Sequence, residues 1–375
     1  MLVLATSLVV LVSVSVLVLV CSGVLWPWGL QPRRTLRSVE RGSDLRDCSV
    51  TGLDLRDRAS MIFTFGFNQR TLWPAAEKLP AGFVPGEVLT NAMNPGLGIR
   101  ELHRQGISGK GVSAAIIDYP ILGRHPEYAD RILEIHSVGD AHGVSMHGPA
   151  VASLLVGHHC GTAPDARIYF LATPDPGRDA QTHAEALDWV LDKNQTLPPA
   201  EKIRVVSVSA SPSGPGSPLR NGKVWDEAVA RAEKAGVLVV DGTVNHGFLA
   251  PCNLDLKAPE EVSHCMPIPT QRGPKLFVGR LLVPVAPRTV AEEYSPRLTG
   301  YYYCGWMDHT HGMFGTSWSM PYCAGVLALG WQVNPHVPAA RMKELLFESA
   351  YVLPGGEKVI NPPAFIAAVK REPTS

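Results

Sequence analysis

Three residues able to share one nucleophilic displacement stand along this chain in the order acid, base, nucleophile: Asp118, His147 and Ser317. A serine hydroxyl is a poor nucleophile near neutral pH. It needs a base to take its proton, and the base needs an acid to fix its tautomer and stabilise its charged form. Asp, His and Ser supply those roles. Each also sits where one kind of element gives way to another. Asp118 closes the strand-like run that begins at Val112, His147 opens a helical run that reaches Val156, and Ser317 opens one that reaches Trp331 after a glycine-containing turn.

Such junctions are what a wound sheet provides. Further strand-like runs cover Arg167 to Leu171, Ile203 to Ser209 and Val237 to Asp241, and further helical runs cover Gln181 to Lys193, Lys223 to Lys234 and Ala339 to Ala350. Apolar strands buried on both faces and spaced by helices predict an α/β fold with a doubly wound, mostly parallel sheet flanked by helices. Ligand and catalytic groups collect at the carboxyl edge of such a sheet.

The chain has 375 residues, enough for one large domain with appendages. Lys and Arg number 34 against 34 Asp and Glu, with no basic block, which excludes a nucleic-acid partner bound through phosphate neutralisation. A hydrophobic content of 45% excludes disorder. No charged residue occurs from Leu2 to Pro32, and Leu2 to Trp26 is almost continuously Leu, Val or small. Residues 1–32 are therefore read as an N-terminal hydrophobic helix, a transmembrane anchor or signal segment that brings the chain to a membrane. Residues 33–93 read as a linker or propeptide-like lead-in, residues 94–371 as the wound domain and residues 372–375 as a tail. Of seven cysteines, Cys21 lies in the apolar run; the six others permit disulfides in an exported protein, and Cys252 with Cys265 is the best bridge candidate. The expected location is membrane-anchored or secreted, with the folded domain outside the cytoplasm.

The segments Ile116-Ile117-Asp118, His147-Gly148-Pro149-Ala150-Val151-Ala152 and Gly315-Thr316-Ser317-Trp318-Ser319-Met320-Pro321 with Ala324-Gly325 resemble the three signature segments of the subtilisin-like serine proteases, the subtilases. Gly161-Thr162-Ala163-Pro164 resembles the turn that follows the histidine helix in that family. The resemblance runs from about Asn94 to Lys370. It implies a subtilisin-like fold and a serine endopeptidase acting on a polypeptide, with Ser317 as nucleophile, His147 as general base and Asp118 as the orienting acid. The string from Val237 to Gly247 resembles the strand leading to the family's oxyanion asparagine, which makes Asn245 a donor beside the Ser317 N–H. Ser209, Ala210 and Ser211 end the strand whose family counterpart pairs with an extended peptide. In the serine segment, small residues permit a tight turn, the helix amino end favours developing negative charge, and Pro321 is tolerated in the first turn.

Departures from the family pattern are local. Tyr119 and Pro120 follow the aspartate where Ser or Thr and then Gly are usual, Pro149 replaces Thr, Ser153 and Val244 replace Gly, and Ser211 stands where Gly is typical. They motivate a second reading, a membrane-tethered, catalytically weak or inactive subtilase-fold protein that binds peptides. The chemistry requires no cofactor, structural calcium is left open, and a monomer is expected. Other chemistries fit poorly. The nucleophile elbow of α/β-hydrolases needs an acid and a histidine after the serine, and no Asp or Glu lies between Ser317 and His336. Gly109-Lys110 lacks the Ser/Thr and the preceding strand of a P-loop. His158-His159-Cys160 and Asp308-His309-Thr310-His311 read as solvated loop clusters rather than metal ligands.

Overall fold

The computed structural model describes residues 34–59, 64–143, 145–174, 178–255, 257–267, 279–286, 288–292, 301–305 and 316–374. The expected N-terminal helix, Gly315 and the run from Asp308 to His311 lie outside them. No helix among the described residues is long and apolar enough to cross a membrane.

Two-residue strands β1 (Arg34–Thr35) and β2 (Cys48–Ser49) pair in parallel, and β3 (Gly66–Asn68) follows. Around them Leu45, Val50, Leu55, Phe65, Phe67 and Phe83 form a hydrophobic cluster of their own. Trp73 meets Phe67 and Phe83 edge to face at 5.2 and 5.3 Å. Helix α1 (Pro85–Asn91) starts on a proline, whose absent N–H a helix start does not need, and α2 (Ile99–Arg104) follows.

Strands, separated by helices from the second onward, then build the central sheet. Its strands are β4 (Ser113–Asp118), β5 (Ile132–Ser137), β6 (Arg167–Ala172), β7 (Ile203–Val208) and β8 (Leu238–Asp241). They run in the order β5-β6-β4-β7-β8, every neighbouring pair parallel. Ala114, Ile116, Phe170 and Val205 enter one core, while Ala115, Ile117, Leu171 and Val206 enter the other. Both faces are thus apolar and both must be covered. Helices α3 (His147–Val156) and α6 (Thr316–Val333) cover the first face, and α4 (Ala180–Thr196) and α5 (Gly222–Lys234) the second. Every residue of α3 after His147 is buried, as its almost uniformly apolar sequence demands. Trp225, Ala228, Val229 and Ala232 turn inward from α5, whose other positions are mostly charged.

Beyond β8 the chain adds β9 (Leu249–Asn253), β10 (Leu281–Ala286), β11 (Arg288–Glu292), β12 (Tyr301–Gly305), β13 (Tyr351–Val352) and β14 (Lys358–Val359). Strands β13-β14-β10-β9 form a second, mixed sheet and β11-β12-β3 an antiparallel one. The stretch expected as a lead-in is therefore joined to the domain by a ladder, with Phe67 opposite Cys304. Helices α7 (Ala339–Glu348) and α8 (Pro362–Val369) close the chain, the latter capped by Asn361, whose side chain accepts from the Ala364 N–H.

Candidate active site

Asp118 is the last residue of β4, buried at 5% exposure. Its Oδ1 accepts from the Tyr119 N–H at 2.8 Å and lies 2.6 Å from His147 Nδ1. With Nδ1 donating to that carboxylate, the lone pair of a neutral ring stands on Nε2. The turn before the histidine is tied to the turn after the aspartate. Ser145 donates its N–H to the Pro120 carbonyl at 3.0 Å, and its Oγ accepts from the His147 N–H at 3.3 Å. Residue 148 has to be glycine here: a Cβ would run into the Tyr119 carbonyl and come within 2.7 Å of the Pro120 carbonyl. The Tyr119-Pro120 turn thus packs directly on the start of α3, and the Tyr119 ring lies 5.8 Å from that of His147.

Ser317 is the second residue of α6. Trp318, immediately after it, sets its ring 5.3 Å from His147 at a 33° tilt, so the amino end of α6 stands beside the imidazole. The Ser317 Oγ lies 3.4 Å from the Ser209 carbonyl, and Ser209 Oγ donates to the Ser317 carbonyl at 2.7 Å. Pro321 lies inside the helix rather than in its first turn, which corrects the sequence expectation. The carbonyl four residues before a proline has no helical N–H to accept from. That carbonyl belongs to Ser317, and Ser209 takes the vacant place. Further along α6, Gly325 lets the helix meet the turn after α3, since a Cβ would sit 2.6 Å from that of Thr162.

Ser209, Ala210 and Ser211 extend β7 past its last paired residue. Gly242 donates its N–H to the Ala210 carbonyl at 2.8 Å, and Ser211 Oγ donates to the Gly242 carbonyl at 2.7 Å. Asn245 is exposed in the loop after β8, its amide against Gly214. The structure therefore joins Asp118 to His147 and Ser317 to Ser209, and sets Asn245 in a loop leaving the same edge of the sheet.

Sequence reasoning missed two histidines. His246 sits between Asp226 and Asp241, at 3.1 and 3.3 Å. Its only signal was its place directly after Asn245. His183, on α4, is 3% exposed, and burial pushes its pKa down to about 4 against the pull of Asp118. Among the described residues no group of His, Cys, Asp or Glu is arranged to hold a metal. His158 and His159 pair instead with Asp130 and Glu127, at 2.9 and 2.8 Å. Cys252 and Cys265, expected as a bridge, are both buried free thiols.

Residues 109–268 match the model of the Subtilase family. The subtilisin-like protease PopC of Myxococcus xanthus (strain DK1622) is 25% identical over 294 residues, which cover 68% of this chain and 59% of that protein. Subtilisin-like protease 2 of Trichophyton rubrum is 27% identical over 160 residues, covering 42% and 36%. The matches thus span less than two thirds of either relative. Among solved structures, the prenylagaramide maturation protease PagA superposes with a TM-score of 0.54 at 16% identity, covering 74% of this chain and 99% of that one. The A-subunit of the AB5 toxin from E. coli gives 0.54 at 17% identity, covering 74% and 98%. These two likenesses are of fold.

Proposed function

From the match of residues 109–268 to the Subtilase family model and the likeness to subtilisin-like proteases, we propose that this chain is a serine endopeptidase using Ser317, His147, Asp118 and Asn245. The observation that carries the reading is the 2.6 Å bond from His147 Nδ1 to a buried Asp118 carboxylate, with the first turn of α6 beside the ring. In the proposed reaction His147 Nε2 takes the Ser317 proton as Oγ attacks the peptide carbonyl carbon. The carbonyl oxygen becomes an oxyanion and accepts from the Ser317 N–H and the Asn245 amide, helped by the dipole of an 18-residue helix. Collapse of the intermediate breaks the C–N bond, and the imidazolium returns its proton to the leaving amine. Water, activated by the same histidine, then hydrolyses the acyl-enzyme. Protons and electron pairs balance within these groups, so no cofactor takes part.

The peptide is proposed to lie along Ser209, Ala210 and Ser211 as an added strand, its main chain supplying most of the affinity. A serine-directed fluorophosphonate tests the reading. Mass spectrometry is expected to find the label on the peptide carrying Ser317, with labelling abolished by Ser317→Ala and strongly slowed by His147→Ala. Folded wild-type protein that binds peptides and takes no label would overturn it.

For location, the uncharged run from Leu2 to Pro32 supports a membrane-held or exported enzyme. Full-length protein is expected to stay in carbonate-washed membranes and a chain lacking residues 1–32 to be soluble. Full-length protein in the wash would rule out the anchor.

A further inference from the structure

One carboxylate oxygen on α5 ties down the neighbour of Asn245 and the neighbour of Gly214, the glycine that the Asn245 amide faces. Asp226 Oδ1 lies 3.1 Å from His246 Nε2 and also accepts a hydrogen bond from Ser213 Oγ. His246 follows Asn245. Ser213 precedes Gly214, where an added Cβ would meet the Asn245 amide at 3.3 to 3.5 Å. The residues next to Asn245 and next to the glycine it faces are thus gathered on a single oxygen.

The other edge of the imidazole is held as well. Nδ1 lies 2.9 Å from Thr243 Oγ1 and 3.3 Å from Asp241 Oδ2. Asp241, 2% exposed at the end of β8, is itself fixed by Trp225 Nε1 at 2.8 Å and by the Thr243 N–H and hydroxyl at 3.2 and 2.9 Å. On the far side of the loop the Arg280 guanidinium donates to the carbonyls of Thr243, Val244 and Leu249 at 3.0 to 3.1 Å. The charged groups around His246 are therefore Asp241 from β8 and Asp226 from α5, with Arg280 behind the loop carbonyls. Burial opposes charge on the ring, but the two carboxylates outweigh it and raise the histidine pKa above its ordinary value.

We propose that Asp226, His246 and Ser213 form a protonation-dependent clamp that positions the Asn245 amide, which makes His246 a positioning residue for the proposed reaction. This rests on Asn245 being the oxyanion donor. An imidazolium donates from both ring nitrogens and serves both carboxylates, whereas neutral imidazole keeps one N–H and leaves one carboxylate without it. The clamp is closed while His246 is protonated and loosens as pH rises through its raised pKa. Because the Asn245 amide meets charge that exists only in the transition state, loosening lowers kcat and leaves KM nearly unchanged.

Asp226→Asn tests this, since it keeps shape while weakening the hold on the charged ring. The expected result is a kcat lower by about tenfold, KM within about twofold, and an alkaline limb of the kcat profile shifted to lower pH. In an Asn245→Ala background the same change should cost no further kcat, because the clamp acts through that amide. An equal loss in both backgrounds would mean a general structural role and would overturn the proposal. Nitrogen-15 NMR gives a readout without turnover. The Asn245 side-chain amide should shift with the titration of the His246 ring in the wild type and lose that shift in His246→Gln; an amide indifferent to the ring also overturns the clamp. If Asn245→Ala itself leaves kcat unchanged, the oxyanion assignment falls, and the NMR titration still decides the clamp.

Discussion

The hydroxyl of Ser209 donates to the carbonyl of Ser317 at 2.7 Å, in the place that the N–H of residue 321 would take in an uninterrupted helix. Residue 321 is proline, so the start of α6 is held by the end of β7 instead of by its own next turn. The backbone of the proposed nucleophile is thereby fixed to the edge along which a peptide is proposed to pair.

Ser209→Ala should leave that carbonyl unpaired and lower stability by about 1–2 kcal/mol, read from urea unfolding. It should also lower kcat more than it raises KM, because the turn around Ser317 is released, and Ser209→Thr should recover most of both. A variant as stable and as active as the wild type would show that this bond does not hold the turn.

The proposed catalytic groups are ranked by how they act. Ser317→Ala and His147→Ala should each remove nearly all turnover, with the double variant little worse, because a nucleophile and its base act as one unit. Asn245→Ala should lower kcat by about 10²–10³, a magnitude taken from subtilisin itself, with KM little changed. Steady-state kinetics on a peptide substrate decides the order. Peptidase activity surviving Ser317→Ala in material free of other proteases would remove this serine from the mechanism.

The places of Asp118 at a strand end and of His147 and Ser317 at helix starts were legible because such junctions leave a local trace: an apolar run that stops at a polar residue, or small residues before an apolar helix. The alternation of Ala114 and Ile116 against Ala115 and Ile117 was legible for the same reason. The setting of His246 was not, since Asp226 lies 20 residues upstream and only the packing of α5 on β8 brings it near. The cluster around Leu45, Val50 and Phe67 has no strand or helix period; it is organised by β3, whose partner β12 lies far along the chain. Pro321 was misplaced because its tolerance depends on Ser209, which no local window contains.

His183 should make the fold sensitive to acid. Its ring is 3% exposed and packs edge-on against Trp225 at 6.2 Å. Burial holds its pKa at about 4 where an ordinary histidine has 6.5. The unfolded chain therefore binds this proton more readily. The stability tied to the neutral ring is complete above the ordinary value and is lost as pH falls towards 4, by at most about 3 kcal/mol. His183→Leu should flatten the pH dependence of the unfolding free energy between pH 7 and 4 by roughly that amount, measured by denaturant titration at several pH values. An unchanged slope would mean that other groups drive the acid response.

Ser211 should set the size of the side chain accepted before the scissile bond. Its hydroxyl bridges to the Gly242 carbonyl at 2.7 Å, and a Cβ on Gly242 would lie only 2.8 Å from that same Oγ. The side chain therefore spans from the end of β7 to the segment leaving β8, the two walls proposed to flank a substrate side chain. Ser211→Gly removes the bridge and opens the gap. The ratio of kcat/KM for Phe or Leu over Ala at that position should rise about tenfold, the scale expected when a pocket gains room for one or two methylene groups. Competition between peptides in one reaction, followed by mass spectrometry, reads the ratio directly. A uniform fall in activity with the ratio unchanged would mean that Ser211 supports the turn at Gly242 without limiting the pocket.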